Sequence, residues 1–227
     1  MNRILLALLA LLLPFTAVTA QEDPEYRLEI GAGAGVMNYM GDFNGNLLKG
    51  FRPQGGIVVK YKPNVRMAWA LNASYGQVKG DSKDVATYYP AITAAPLTFS
   101  SKLVSADVRF EYNFWPFGTG HEYLGAQPLT PFIALGLGAV YAKNEQSKVA
   151  LQVPIGLGVK YKLADRLNLS LEWMMHFSGS DLLDGVKDPY GIKSSGFFKN
   201  TDCYSTVQVS LTYDLWAICK TCNNDRD

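Results

Sequence analysis

A chain of 227 residues, 48% apolar and 18% charged, is long enough for one all-β domain, and its formal net charge of +1 offers no basic stripe to nucleic acid. With 21 glycines and 13 tyrosines against only 2 histidines, it suits pleated strands with small residues on one face and aromatics at their ends.

Residues 1–20 read as a secretory signal peptide. Asn2 and Arg3 form a short positive n-region, Ile4 to Leu13 is an unbroken apolar run, and Pro14 ends it. Ala17-Val18-Thr19-Ala20 then offers a small-residue cleavage site before Gln21. The apolar run falls well short of the roughly 20 residues that span a bilayer. No cysteine follows it closely, so a lipoprotein anchor is not expected. The mature chain is expected to be one barrel over 21–216 with a short periplasmic tail over 217–227.

From Tyr26 onward, alternation with period two keeps returning. Tyr26 to Val36 sets Leu28, Ile30, Ala32 and Ala34 against Arg27, Glu29, Gly31 and Gly33. Gln54 to Lys62 opposes Ile57, Val59 and Tyr61 to Val58, Lys60 and Lys62. Met67 to Gln77 opposes Trp69, Leu71, Ala73 and Tyr75 to Ala70, Asn72 and Ser74. Lys102 to Phe114 puts Val104, Val108, Phe110 and Tyr112 opposite Ser105, Asp107, Arg109 and Glu111. Pro131 to Ala142 carries Ile133, Leu135 and Leu137 against Gly136 and Gly138. Val149 to Leu163 is the cleanest case, with Leu151, Val153, Ile155, Leu157 and Val159 facing away from Gln152, Gly156, Gly158, Lys160 and Lys162. Leu167 to Ser178 opposes Leu169, Leu171 and Trp173 to Ser170, Glu172, Met174 and His176. Tyr204 to Trp216 opposes Val207, Val209 and Leu211 to Gln208, Ser210 and Asp214. A helix would mix these sets around its circumference, so strands are the consistent reading.

Eight strands is an even number, as bacterial single-chain barrels require, and the connections alternate between tight turns and longer loops in the pattern of such barrels. The expected fold is a transmembrane antiparallel β-barrel of about eight strands with a side-chain-filled lumen. Both termini are expected in the periplasm, below the cell outer membrane. The same alternation would serve a soluble calyx, so the aromatics decide. Tyr26, Tyr61, Trp69, Tyr112, Phe114, Tyr161 and Tyr213 fall near one rim, and Tyr75, Tyr141 and Phe177 near the other, as an interfacial belt requires. The apolar face then meets outer-membrane lipid. Charges on the opposite face would each cost about 2–4 kcal/mol in mid-bilayer, so Arg27, Glu29, Lys60, Lys102, Asp107, Arg109, Glu111, Lys160, Lys162, Glu172 and Asp214 are expected in the lumen. Inward glycines leave room for them, and an interior of this size is filled by side chains, with no open pore.

Four other features could carry chemistry or contacts. Gly31-Ala32-Gly33-Ala34-Gly35 lacks the third glycine and the following helix of a phosphate-binding loop, and reads as strand glycines. His176-Phe177-Ser178 is similar to the His-x-Ser pair of lipid A-modifying barrels, yet alternation turns His176 inward and supplies no base-orienting partner. Cys203 lies a whole strand away from Cys219 and Cys222. Cys219-x-x-Cys222 either closes on itself, bonds a partner through an intermolecular disulfide, or stays an inert pair in a mobile tail. The connection Trp115 to Thr130 is long and aromatic for a periplasmic hairpin. Its Trp115, Phe117, His121 and Tyr123 either contact a partner or extend the interfacial girdle. His121 has no neighbours that suggest a metal, and no cofactor motif is present.

Several segments, in order, resemble the PorG family of outer-membrane barrels of the type IX secretion system. They include Tyr39-Met40-Gly41-Asp42, Tyr123-Leu124-Gly125, Gly158 to Leu163, Arg166 to Leu169, Asp181 to Gly185, Asp188 to Ile192, Lys199-Asn200 and Tyr204-Ser205. The resemblance implies a non-enzymatic component that associates with a periplasmic ring built from the lipoprotein PorK and its partner PorN. The alternatives are a lipid A-modifying enzyme using His176 and Ser178, a surface adhesin using the Gly179–Cys203 loop, and a soluble ligand carrier.

Overall fold

The structure is a computed structural model that describes residues 24–40, 50–81, 98–118, 126–143, 147–179 and 203–217. The expected leader lies outside the described residues, as do His121, Tyr123, Cys219, Cys222 and nearly all of the Gly179–Cys203 loop.

Eight strands follow one another: β1 (Tyr26–Met40), β2 (Arg52–Asn64), β3 (Met67–Asp81), β4 (Thr98–Asn113), β5 (Leu129–Lys143), β6 (Lys148–Ala164), β7 (Leu167–Ser178) and β8 (Cys203–Ala217). Each pairs antiparallel with the next, and β1 pairs with β8 from Tyr26↔Ala217 to Met40↔Cys203, which closes the barrel. The expected all-β barrel is the observed fold. Closure leaves no sheet edge, so the ladder of every strand is met on both sides, the condition for placing strands in hydrocarbon.

Alternation decides which way each residue faces. Along β6, Leu151, Val153, Ile155, Leu157 and Val159 are exposed, while Gln152, Pro154, Lys160 and Lys162 are buried. The same inversion runs around the whole wall. Leu137 is 71% exposed and Leu151 77%, whereas Lys60 is 2% and Glu111 0%. Water could not stabilise such an arrangement; acyl chains against the outer wall do.

The tight turns Val65–Arg66 and Asp165–Arg166 lie at the end of the barrel where β1 starts and β8 ends, called here the near end. In the first, Asn64 Oδ1 accepts a hydrogen bond from the Arg66 amide at 2.9 Å, a side-chain mimic of a backbone turn. The third near-end connection, between β4 and β5, is ordered on both flanks. Phe117 bridges to Gln127, and its amide donates to the Val65 carbonyl of the β2–β3 turn at 3.1 Å. Thr130 Oγ1 accepts from the Trp115 amide at 3.0 Å and donates back to the Trp115 carbonyl.

Exposed aromatics ring the near end at Tyr61, Trp69, Phe114, Tyr161 and Tyr213, and mark the far end at Tyr75 and Tyr141. Trp69 packs edge-on against Phe110, with centroids 5.2 Å apart. Tyr26 departs from the expected girdle. It is only 8% exposed, its hydroxyl accepts from Arg166 Nε at 3.2 Å, and the Arg166 guanidinium lies 5.2 Å over its ring. The β1–β2 ladder begins only at Leu28↔Tyr61, so the first residue of β1 is laddered to β8 alone, at Ala217.

Several strands run farther at the far end than their apolar alternation does: β1 reaches Met40, β3 reaches Asp81 and β4 starts at Thr98. There Met37, Tyr39, Val78 and Leu103 turn inward, so the rule of apolar outside and polar inside breaks while the backbone ladder continues.

Leu135 lies mid-strand on the outer wall between Phe110 and Ile155. Leu135→Arg is expected to lower unfolding free energy in lipid vesicles by about 2–4 kcal/mol. Asp165→Arg, in an exposed turn, is expected to leave it nearly unchanged. Urea titration followed by tryptophan fluorescence checks both, and equal effects would refute a lipid-facing β5.

Candidate functional site

The inward face of the strands builds the chemistry of the molecule. At the near mouth, Lys62 from β2 and Lys162 from β6 converge on Asp214 from β8. Lys162 Nζ lies 2.7 Å from Asp214 Oδ2, and Lys62 pairs with the other oxygen and with Glu29 at 3.4 Å. Glu29 also accepts a hydrogen bond from Thr212 Oγ1. One level deeper, Glu111 from β4 is held by Lys160 Nζ at 2.7 Å and Lys60 Nζ at 3.2 Å. The Phe132 ring centroid lies 4.5 Å from the Lys160 ammonium and 5.7 Å from that of Lys60, distances that favour cation–π attraction. Deeper still, Arg109 Nε meets Asp107 at 2.9 Å, and its Nη1 reaches Glu172 at 3.4 Å.

Five carboxylates (Glu29, Asp107, Glu111, Glu172, Asp214) thus meet five cations (Lys60, Lys62, Arg109, Lys160, Lys162) inside one closed wall. Four of them, Lys62, Arg109, Glu111 and Asp214, each hold two partners, and such sharing helps offset desolvation that an isolated pair would not. Glycines make the space. A Cβ on Gly136 would stand 2.8 Å from Arg109 Cγ, and one on Gly158 would stand 2.6 Å from the Phe132 ring.

Above the ions, the lumen becomes neutral and then apolar. Gln54 Nε2 donates to Gln208 at 2.8 Å, and Ser74 and Ser105 share a 2.7 Å contact. His176 stacks flat on Tyr204 with centroids 4.4 Å apart, and the Tyr204 hydroxyl donates to Gln152 at 2.6 Å. A void beside Arg109, Glu172 and His176 has a water-accessible volume of about 20 Å³, room for about one water molecule. The far end is closed by Met37, Tyr39, Val78, Leu103, Val140, Ala142, Ala150 and Tyr204. At the near end, Phe117 and Tyr26 approach the Lys162 ammonium to 5.9 and 5.7 Å. The lumen is filled with ions in the middle and apolar residues at both mouths.

Most expected lumen residues take their places: Glu29, Lys60, Asp107, Arg109, Glu111, Lys160, Lys162, Glu172 and Asp214 are buried, and Arg27 is half-buried at the near mouth. Two expectations are corrected. Lys102 faces outward, because it shares the parity of Val104 and not that of Asp107, and its position at the far end lets a charge stand outside the wall. Phe117 is 7% exposed and caps the near mouth, so it does not present itself to a partner as a loop aromatic would. Trp115, two residues earlier, is 43% exposed. His176 and Ser178 are both buried inside the barrel, away from acyl chains. His176 Nδ1, where an orienting carboxylate would sit in a triad, meets no partner among the described residues. Phe132, Tyr204 and Gln54 carry no charge that marks them for the lumen, yet they share the inward parity of Ala134, Thr206 and Lys60.

Residues 2–224 match the family described as a domain of unknown function, DUF6089, and the chain belongs to that family. No curated protein matches it. Among solved structures it is similar to Neisserial surface protein A at 13% identity, over 83% of this chain and 97% of that one, with a TM-score of 0.50. It is also similar to the outer membrane protein OprG from Pseudomonas aeruginosa at 13% identity, over 86% and 99% of the chains, with a TM-score of 0.49. The fold is that of the small outer-membrane β-barrels.

Replacing one member of the ion network leaves its partners charged and buried. Glu111→Gln is expected to lower unfolding free energy by about 3–5 kcal/mol, and adding Lys160→Met should restore part of that loss. Additive losses in a double-mutant cycle, measured by denaturant titration in micelles, would show that Glu111 and Lys160 are not coupled.

Proposed function

We propose that this DUF6089 barrel is a non-enzymatic component of the type IX protein secretion machinery. In this reading it sits in the cell outer membrane with both termini in the periplasm, and anchors or scaffolds a ring of the PorK/PorN type. The observation that supports a scaffold is the lumen. Ion pairs fill it, and apolar groups close both mouths, so a folded cargo protein has no path through it. A sealed wall acts on other molecules through its rims.

The near rim offers suitable anchors. Trp115 and Trp216 are exposed, and large aromatics with one polar edge dominate binding energy at protein interfaces. Trp216 also holds a left-handed backbone, φ 59°, a conformation costly for a bulky residue. Cys219 and Cys222 follow it in sequence.

Photo-crosslinking from position 115 in intact cells is expected to capture a ring-forming lipoprotein or its ring partner. Trp115→Ala is expected to weaken co-purification of that partner by roughly thirtyfold, as for a central aromatic anchor. Capture of outer-membrane lipid alone, with secretion of proteins bearing the C-terminal sorting signal intact after deletion of the gene, would overturn the reading. If Cys219 or Cys222 bonds a partner, non-reducing gels of native membranes show a higher-mass band that is lost on Cys→Ser replacement.

A further inference from the structure

We propose that Lys79, Lys102 and Lys143 form a site on the outer wall for the phosphate group of a lipid headgroup. The inference rests on the lipid-facing wall and stands apart from the secretion role. All three lysines are exposed and occupy outward positions on the neighbouring strands β3, β4 and β5. Lys102 pairs directly with Lys143 across one ladder and with Gln77 across the other, and Lys79 lies one outward step beyond Gln77. Among the described side chains they are the only cations at outward strand positions, and none of those side chains is a carboxylate; Asp81 follows at the same parity at the very end of β3.

Depth supports the assignment. One outward row below the lysines lies Tyr75–Val104–Tyr141, also in direct register, with both rings exposed. Tyrosines of this kind mark the boundary between hydrocarbon and headgroups. Two residues farther along a strand is about 6.6 Å, so the ammonium groups reach the headgroup layer. Below the row, Leu71, Val108 and Leu137 continue the same three strands as an apolar bed for acyl chains.

Charge supports it as well. Like charges directly opposite on neighbouring strands destabilise a sheet, and Lys102 faces Lys143 with no acid beside them among the described side chains of that wall. A phosphate monoester, carrying nearly two negative charges, removes that penalty and gives each ammonium an acceptor. Generic solubility would scatter lysines around the rim. Here they gather on three strands of eight.

The full chain in detergent micelles, exposed to diphosphoryl lipid A or to phosphatidylcholine, tests this by native mass spectrometry. Wild type is expected to retain lipid A and to shed phosphatidylcholine. Lys102→Gln should lower lipid A retention about fivefold, and Lys79→Gln/Lys102→Gln/Lys143→Gln by about fiftyfold or more. The corresponding triple Lys→Arg replacement should keep it. Heat-modifiable migration on gels verifies that each variant is a folded barrel. Wild-type retention by the triple Gln variant, or equal retention of phosphatidylcholine, would overturn the proposal.

Discussion

Closure of the hydrogen-bond ladder between β1 and β8 governs the rest of this molecule. Within hydrocarbon, each unpaired backbone N–H or carbonyl costs several kcal/mol, so an open sheet could not remain there. Once the sheet is closed, it has an inside that acyl chains cannot reach and an outside that water cannot reach. Side-chain alternation then sorts residues between two solvents that differ as much as any two in biology. The narrow bore follows from the strand number, and the narrow bore forces charged residues from distant strands into contact. Lys62 and Asp214 are 152 residues apart in sequence, yet they touch.

That contact explains why the lumen contains balanced charge and is not simply polar. A lone buried lysine would be neutralised or would draw in water. Five cations pair with five carboxylates, linked through Lys62, Arg109, Glu111 and Asp214, which each hold two partners. The caps complete the arrangement. Tyr26 and Phe117 at the near mouth and Met37, Tyr39 and Leu103 at the far mouth keep water from screening the pairs within. Sealing and ion pairing therefore support each other, and the cost is any role for the bore as a channel.

The strands were legible in the sequence because each carries apolar residues at every second position through the bilayer, and β7 was bounded to the residue. Legibility failed where the hydrocarbon stops. At Lys102 the presence of charge suggested the lumen, but parity with Val104 places it outside, and parity is fixed by the backbone whereas the charge rule holds only at membrane depth. At Met37 and Tyr39 apolar residues face inward, so the pattern that defines a strand in the membrane vanished while the strand went on. Phe117 lies in a connection with no periodicity at all. Its burial depends on a backbone bond to Val65, 52 positions away in sequence, which no local signal encodes.

A sealed lumen also restricts where chemistry with other molecules can occur. Glu111, His176 and their neighbours are buried to within a few per cent, so no solute meets them without unfolding the wall. The lipid-facing belt is smooth and apolar and distinguishes one acyl chain from another only weakly. What remains are the two rims, and they are chemically unlike. The near rim has tight turns, an ordered aromatic connection and a strained Trp216, features that hold a rigid surface in one shape. The far rim has three lysines on one side of the wall and apolar residues packed within. A barrel with different ends and an inert middle is suited to fix other structures at a defined height and orientation in the membrane, because its binding energy is placed where the lipid ends.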